Sequence, residues 1–283
     1  MAASVGAAAA ATFVLGLIIG SFLNVVIHRL PIMLERQWRA QCRELAGDPP
    51  EPAEAFNLLS PPSHCPGCGN RIGPLQNIPV ISYLIQRGRC RHCKTRISIQ
   101  YPLVELLTGI LSAAVVLRLG VTPLAAAGLL LTWSLVALAV IDLHHQLLPD
   151  AITLPSLWIG IGLALVAVNT DLRSSVIGAM AGYLSLWSVY QGFRLLTGRE
   201  GMGYGDFKLL AMLGAWLGWQ YLPAIIIVSS LVGAVVGVGL IAIRGRDRAA
   251  PLPFGPFLAA AGWITLLWGE QINQSYLAFS GLA

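Results

Sequence analysis

Eight long apolar segments constrain the fold of this chain more than any other feature. They lie at about 8–28, 103–118, 123–141, 151–168, 174–193, 207–221, 223–243 and 254–271. Most approach the roughly 20 apolar residues that a helix needs to cross a bilayer, although the second and sixth are short. Only 11% of the 283 residues are charged, and the mean hydropathy is +0.71. We therefore expect an all-α membrane protein with about eight transmembrane helices.

The basic residues support this count. When the connecting loops are numbered alternately, the chain's 18 Lys and Arg residues divide into two groups. The smaller group is Arg118 and Arg173. The larger group contains Arg29, Arg36, Arg39, Arg43, Arg71, Arg87, Arg89, Arg91, Lys94, Arg96, Arg194, Arg199, Lys208, Arg244, Arg246 and Arg248. The positive-inside rule makes the side of the larger group cytoplasmic, which places both termini outside. This topology explains the net charge of +5, so we expect no nucleic-acid partner.

Residues 30–102 form a polar insertion between the first two segments. We therefore predict three parts: a first transmembrane helix at 1–29, a cytoplasmic insertion at 30–102 and a seven-helix transmembrane catalytic domain at 103–283. The insertion begins with a charged stretch that includes residues 33–46. Two interpretations of that stretch are equally good: a short amphipathic helix on the membrane surface, or a solvated linker.

Four cysteines in the insertion have the spacing C-x2-C-x21-C-x2-C. They occur as "CPGC" and "CRHC" and are Cys65, Cys68, Cys90 and Cys93. Two such pairs at this separation are typical of a tetrahedral thiolate site, and we expect a structural Zn²⁺. Two disulfides or a redox pair are the alternatives, and a cytoplasmic location argues against disulfides. Because a closed four-cysteine site leaves no open position for a substrate, we expect the metal to stabilise the insertion.

Two acidic residues lie at the ends of apolar segments on the predicted cytoplasmic side. Asp142 ends the third segment and Asp206 begins the sixth. A lone charge at such a depth costs several kcal/mol, so ionisable groups there are candidates for function. Asp206 has an alternative role as a helix N-cap. Asp142 does not, because the dipole at a helix C-terminus disfavours a carboxylate.

A pair of carboxylates suits aspartyl-protease chemistry, in which one takes a proton from water and the other donates a proton to the scissile carbonyl oxygen. We expect Lys208 to favour the anion of Asp206. The glycines of "GMGYGD" at positions 201, 203 and 205 would let a peptide backbone come close. A proton or ion relay in a transporter is the competing function, and an assembly scaffold is a third interpretation compatible with catalysis.

Several motifs together resemble the type IV prepilin peptidases, which are intramembrane aspartyl proteases of the GxGD class. The matching stretches are "GSFLNVVIHRLP" at 20–31, the two cysteine pairs, "YPLVELLTG" at 101–109, "IDLHHQLLPD" at 141–150, "GMGYGDFKLLAMLGAWLG" at 201–218 and "PFGPFLA" at 253–259. The resemblance assigns the two catalytic aspartates to Asp142 and Asp206.

The same resemblance implies the substrate and the location. Such enzymes lie in the bacterial cytoplasmic (inner) membrane and face the cytoplasm. They remove the basic leader of prepilins or type II secretion pseudopilins after a glycine, and many then methylate the new N-terminal amine with S-adenosylmethionine. Pilus or secretion assembly proteins are further partners to expect, beside the lipid bilayer. No cofactor loop identifies residues for methyl transfer in this sequence.

Overall fold

The computed structural model describes residues 2–49, 55–73, 76–244 and 252–280. Nine α-helices occur in these residues: α1 Ala2–Ala46, α2 Ile81–Ile85, α3 Gln100–Leu119, α4 Pro123–His145, α5 Asp150–Leu165, α6 Leu172–Thr197, α7 Tyr204–Leu217, α8 Leu222–Arg244 and α9 Gly255–Ser280. The described part of the chain contains no β-strand, only two isolated bridges in the insertion. The chain divides into two compact units, Met1–Gly120 and Val121–Ala283.

Each of the eight apolar segments corresponds to one helix of 14 residues or more. The remaining helix, α2, has five residues and lies inside the insertion. Four of the described helices are long and apolar enough to cross a membrane, at Ser4–Ala46, Gln100–Leu119, Pro123–His145 and Trp219–Leu240. The prediction of an all-α membrane protein with a four-cysteine insertion between its first two long helices is confirmed.

The charged stretch at 33–46 is neither a separate surface helix nor a linker. It continues α1 without a break through Pro31 to Ala46. A proline in a helix removes one intrahelical hydrogen bond and usually bends the helix, but it does not oblige the helix to end there. The helical interpretation is therefore right about the secondary structure but wrong about a separate short helix, and the linker interpretation is wrong.

A glycine inside the sixth apolar segment ends its helix, although the sixth and seventh segments run into each other in the sequence. Helix α7 ends at Leu217, and Gly218 follows with a φ of 93°. That backbone conformation is readily available only to glycine. A short 3₁₀ turn, Trp219–Tyr221, then leads into α8. Helix α7 has 14 residues and therefore rises about 21 Å, which is less than the roughly 30 Å of a bilayer core.

In the first unit, small residues let α1 and α3 approach closely. A Cβ atom on Gly16 would lie 2.8 Å from Gly109 Cα, and one on Gly20 would lie 2.7 Å from Glu105 Cα. Glycines four residues apart are typical of such close crossings in membranes, because dispersion contacts replace the hydrophobic driving force there.

Helix α7 is the most buried element of the second unit. It contacts α5, α6, α8 and α9, and most of its side chains are fully buried. Its closest crossing is with α6, where Gly178 and Gly214 meet backbone to backbone. At the C-terminal end of α7, the Ser175 hydroxyl donates a 2.7 Å hydrogen bond to Ala215 O. These contacts determine the position of the helix that carries Asp206.

Candidate active site

Asp142 lies in the last turn of α4, and its side chain is 5% exposed. The backbone N–H of Gly255, the first residue of α9, donates a 3.0 Å hydrogen bond to Asp142 Oδ2. An N–H at the start of a helix has no partner within that helix and is free to bind an anion. The acid that the dipole of its own helix disfavours is therefore stabilised by the N-terminus of another helix.

Asp206 is the third residue of α7, and its side chain is 8% exposed. The N-cap of this helix is Gly203, and no side chain makes a capping hydrogen bond there. The N-cap interpretation of Asp206 is therefore wrong. The neighbouring Phe207 is fully buried, and its ring packs against those of Tyr183 and Tyr190 at centroid distances of 5.9 and 5.6 Å. This aromatic packing anchors the first turn of α7 and with it Asp206.

The two acids belong to one local arrangement. The buried side chain of Leu148 packs beside both. A Cβ atom on Gly205, next to Asp206, would lie 2.8 Å from Leu148 Cβ, and one on Gly255 would lie 3.1 Å from Leu148 Cδ2. Two interacting buried carboxylates do not ionise independently and tend to share a proton. This is the arrangement that general acid and base catalysis by an aspartate pair requires.

Lys208 does not pair with Asp206, contrary to the expectation from the sequence. Its ammonium group contacts both carboxylate oxygens of Asp150, at 2.8 and 2.7 Å. Side chains two apart on a helix point in different directions, so Lys208 faces α5 while Asp206 faces Asp142. Asp150 is exposed and begins α5 without making a side-chain cap.

The glycine-rich stretch before α7 has two kinds of glycine. A Cβ atom on Gly201 would lie 2.8 Å from the Phe193 ring, and Gly205 is closed by Leu148. Both glycines therefore serve packing within the protein. Gly203 is open, and the nearest atom to a Cβ there would be Asp206 Oδ2 at 3.9 Å. Of the three glycines, Gly203 is therefore the one that leaves room for another peptide backbone next to an acid.

The four cysteines meet in one cluster in the first unit. Their sulfur atoms all lie within 4.8 Å of one another, and Cys65 Sγ is 3.6 Å from Cys93 Sγ. Each pair occupies a tight turn closed by a β-bridge, His64 with Arg71 and Arg89 with Arg96. A tetrahedron of thiolates about 2.3 Å from a zinc ion places its sulfurs about 3.8 Å apart. The cluster therefore has the ligands and the spacing to hold a metal ion.

Hydrogen bonds prepare one of these sulfurs for metal binding. The Thr95 side chain, 3.1 Å away, and its backbone lower the pKa of the Cys93 thiol to about 6. A backbone hydrogen bond from Asn70 lowers the pKa of the Cys68 thiol, but desolvation and the neighbouring sulfurs outweigh it and raise that pKa to about 11. Four thiolates repel one another when no cation is between them, and a coordinated metal removes that penalty.

Two family models cover most of the chain. The model of the bacterial peptidase A24 N-terminal domain matches residues 14–119, and the model of the type IV leader peptidase family matches residues 129–238. The first match lies within Met1–Gly120 and contains the four cysteines, whereas the second lies within Val121–Ala283 and contains both aspartates.

Full-length relatives agree with these models. Three of them are named prepilin leader peptidase/N-methyltransferase. The one from Pseudomonas aeruginosa is 55% identical to this chain over 271 residues, covering 95% of this chain and 93% of the relative. One from Aeromonas salmonicida strain A449 is 57% identical over 269 residues, covering 94% and 92%. One from Xanthomonas campestris pv. campestris is 48% identical over 273 residues, covering 95% and 94%. The chain belongs to the type IV leader peptidase family. No solved structure matches it.

In this leader-peptidase family member, sequence reasoning missed the role of Gly255. The motif "PFGPFLA" contains it, but nothing in the sequence indicates that its N–H binds a carboxylate 113 residues away. His144 and His145, which follow Asp142 closely, are exposed, and His144 Nδ1 lies 2.8 Å from its own helix at Val140 O. They do not join the aspartates. Cys42 is exposed on α1 and lies outside the four-cysteine cluster.

Gly255→Ala should impair the aspartate pair while leaving the helices intact. The added Cβ would lie 2.6 Å from Asp142 Oδ2, so the carboxylate must rotate away from the N–H that orients it. Misplacement of a catalytic group by about 1 Å can cost about 10²-fold in rate, and we expect a loss of that order in kcat with a small change in KM. Steady-state cleavage of a prepilin measures both.

A matched control for this substitution is Gly239→Ala in α8, where a Cβ meets no atom within 4 Å. It should keep wild-type kcat. Wild-type kcat in the Gly255→Ala variant would show that the hydrogen bond to Asp142 has no role in cleavage.

Proposed function

We propose that this protein is an intramembrane aspartyl endopeptidase that removes the leader peptide of type IV prepilins or type II secretion pseudopilins after a glycine. We propose further that it N-methylates the new N-terminal residue. The observation that carries the peptidase function is the placement of two buried carboxylates, Asp142 and Asp206, around Leu148 and beside the open backbone at Gly203. The relatives are peptidases by name, which favours this function over a proton or ion relay.

In the proposed mechanism the two carboxylates share one proton. Asp142 Oδ2 already accepts the Gly255 N–H, so a proton on this carboxyl group would be on Oδ1. The ionised member removes a proton from water, and the water oxygen bonds to the scissile carbonyl carbon. The protonated member donates its proton to the carbonyl oxygen. Collapse of this intermediate breaks the C–N bond. The carboxyl group that took the proton from water gives it to the leaving nitrogen, which becomes the new amine, and the other carboxylate takes back the hydroxyl proton.

Gly203 is the proposed point of approach for the leader backbone. An extended peptide can lie against a residue without a Cβ more closely than against any other. The opening is adjacent to Asp206 Oδ2, which would face the scissile peptide bond. The distribution of Lys and Arg along the chain supports a cytoplasmic location of the site by the positive-inside rule, on the side where the basic leader would lie. We propose the bacterial inner membrane as the location of the protein.

The peptidase function is tested by cleavage of a purified prepilin with the reconstituted protein. Mass spectrometry should find the released leader and a mature chain that begins after a glycine. When S-adenosylmethionine is added, the mature chain should gain the mass of one methyl group. An uncut prepilin in the presence of folded protein would refute the proposed peptidase.

Methyl transfer needs a donor, and S-adenosylmethionine is the one that the relatives' N-methyltransferase names imply. When bound, it would supply a methyl group attached to a cationic sulfur. The neutral amine nitrogen would bond to the methyl carbon as the C–S bond breaks with its electrons going to sulfur, and the amine would release a proton. The protein's part is to bind this donor and to exclude water from it.

We propose that the metal of the four-cysteine cluster is Zn²⁺. Four thiolates in a closed tetrahedron are typical of structural zinc. Between the end of α1 at Ala46 and the start of α3 at Gln100, the described residues include only one short helix and no β-strand, so a metal would contribute much of the folding free energy of this segment. We propose that 1–29 is the first transmembrane helix, that 30–102 is a cytoplasmic zinc-binding insertion and that 103–283 is the seven-helix transmembrane catalytic domain. The packing of α3 with α1 also brings α3 into the first unit.

Cys65→Ser combined with Cys90→Ser should remove the metal. Elemental analysis should find about one zinc ion per chain in the wild type and close to none in the double variant, since two of four thiolates are gone. Cys42→Ser is the matched control and should keep wild-type zinc, because Cys42 lies outside the cluster. Unchanged zinc in the double variant would overturn the metal assignment.

Proteins that assemble pili or the type II secretion apparatus are further proposed partners. The insertion carries many exposed basic side chains, which suits contact with acidic cytoplasmic surfaces. Such docking is compatible with catalysis in the second unit.

A further inference from the structure

A cavity of about 450 Å³ lies within the first unit. Small-molecule sites usually enclose about 300–1,000 Å³ and combine apolar walls with a few polar groups. The middle of α1 and the N-terminal turns of α3 form one side of this cavity, and the four-cysteine module forms another, with Cys65 and Cys90 in its wall. None of its lining residues belongs to the aspartate site.

Asn24 presents an unpaired acceptor at this cavity. Its side chain is 4% exposed, and its Nδ2 group donates a 3.0 Å hydrogen bond to Tyr101 O. Its Oδ1 atom is buried and has no hydrogen-bond partner among the described residues. The opposite orientation of the amide would bring two oxygens together at Tyr101, so the hydrogen bond shows that Oδ1 is the unpaired atom of this cavity-lining residue. Buried polar atoms are nearly always paired, and an exception indicates a missing partner.

Glu105 adds a carboxylate to the same cavity, and its side chain is 8% exposed. The Val80 N–H donates to its Oε2 atom at 2.8 Å, and the Ser21 hydroxyl also bonds to it. A carboxylate has about four acceptor sites, so these two bonds hold it in place without using its full capacity. The result is an oriented acceptor on a rigid helix.

These two acceptors favour a ligand that offers donors and a positive charge. S-adenosylmethionine has amino groups, ribose hydroxyls and a cationic sulfonium. A carboxylate binds hydroxyl and amino donors and attracts a cation. The Tyr83 ring, which also lines the cavity, provides a face of the kind on which bases stack. The basic residues Arg91 and Arg96 in the lining suit the carboxylate of the methionine part.

We propose that this cavity is the binding site for S-adenosylmethionine, with Asn24 Oδ1 and the Glu105 carboxylate as its polar anchors. This inference rests on the proposed methyl transfer and names the residues that would bind its methyl donor. It separates the two reactions, with the methyl donor bound in Met1–Gly120 and the proteolytic aspartates in Val121–Ala283.

Equilibrium dialysis of radiolabelled S-adenosylmethionine with the purified full-length protein tests the proposal without prepilin. Glu105→Gln keeps an acceptor for the Val80 N–H but removes the charge. We expect its Kd to rise by about tenfold or more, as for loss of a charge-assisted hydrogen bond. Glu35→Gln is the matched control, because Glu35 is exposed and its one ion pair among the described residues is with Arg39 of its own helix. Its Kd should stay within about twofold of wild type.

A second measurement needs no substitution. A photoreactive analogue of S-adenosylmethionine should crosslink wild-type protein within residues 20–105, and S-adenosylhomocysteine should compete with it. Zinc content and size-exclusion behaviour verify that Glu105→Gln is folded. Wild-type Kd in that folded variant, or crosslinks confined to Val121–Ala283, would overturn the site while leaving methyl transfer itself intact. Failure of the peptidase would appear separately, as prepilin that stays uncut.

Discussion

Asp142→Asn and Asp206→Asn should each reduce prepilin cleavage by about 10²–10⁴-fold, the usual contribution of a general acid or base. Asparagine has nearly the shape of aspartate but cannot exchange the proton that the mechanism requires. At position 142 it also keeps an oxygen that can accept the Gly255 N–H. The loss should therefore appear in kcat and leave the fold unchanged. Initial rates of leader release by reconstituted protein provide the measurement.

The double variant distinguishes a working pair from two independent residues. Groups that act as a unit have strongly non-additive effects, so replacing both aspartates should cost little more than replacing one. Asp150→Asn is the matched control: Asp150 is exposed and paired with Lys208, and exposed ion pairs contribute about 0–1 kcal/mol to stability. It should cleave at near the wild-type rate. If Asp142→Asn or Asp206→Asn did so too, the assignment of the catalytic pair would be wrong.

Gly178→Ala and Gly214→Ala should destabilise the second unit. At this crossing of α6 and α7, a Cβ on either glycine would overlap the backbone carbonyl of the other. No side chain can rotate to relieve a clash with backbone, so the helices must separate. Overpacking in a close-packed interior costs about 1–3 kcal/mol and sometimes more. Thermal unfolding in detergent should show a lower Tm, and cleavage should fall because α7 carries Asp206.

Gly192→Ala tests the same kind of change on the same helix. A Cβ at that position of α6 meets no atom within 4 Å. Alanine is also favoured over glycine in helices by about 0.5–1 kcal/mol, so the Tm should stay the same or rise slightly. An unchanged Tm and full cleavage in Gly214→Ala would mean that the helices do not cross as closely as the structure places them.

Hydrophobic length and charge were enough to predict the helices. A segment long enough to cross a bilayer must satisfy its backbone hydrogen bonds internally, so it forms a helix whatever its neighbours are. The eight segments accordingly correspond to eight helices. The same reasoning could not find the continuation of α1 to Ala46, because a polar stretch carries no such requirement. It also placed the end of the sixth segment at about 221, whereas Gly218, with its positive φ, ends α7 at Leu217 within an unbroken apolar run.

The two buried acids could be found in the sequence, but their partners could not. A buried acid in an apolar segment is costly enough to stand out in any sequence, which is why Asp142 and Asp206 were found. Their surroundings were not. Lys208 was expected beside Asp206 and pairs with Asp150 instead, 58 residues away in the chain. The hydrogen bond from Gly255 to Asp142 joins residues 113 apart.

The sequence by itself determined the all-α class, the helix count, the metal-binding spacing of the cysteines and the family. Each of these depends on residues that are close in the chain, where length, charge and spacing act directly. Only the tertiary structure decided that α9 brings its first N–H to Asp142, that Gly203 stays open while Gly201 and Gly205 are closed, and that Asn24 and Glu105 face a cavity. Those features depend on which side chains meet after the helices pack, and packing depends on shape complementarity between distant segments that no local pattern records.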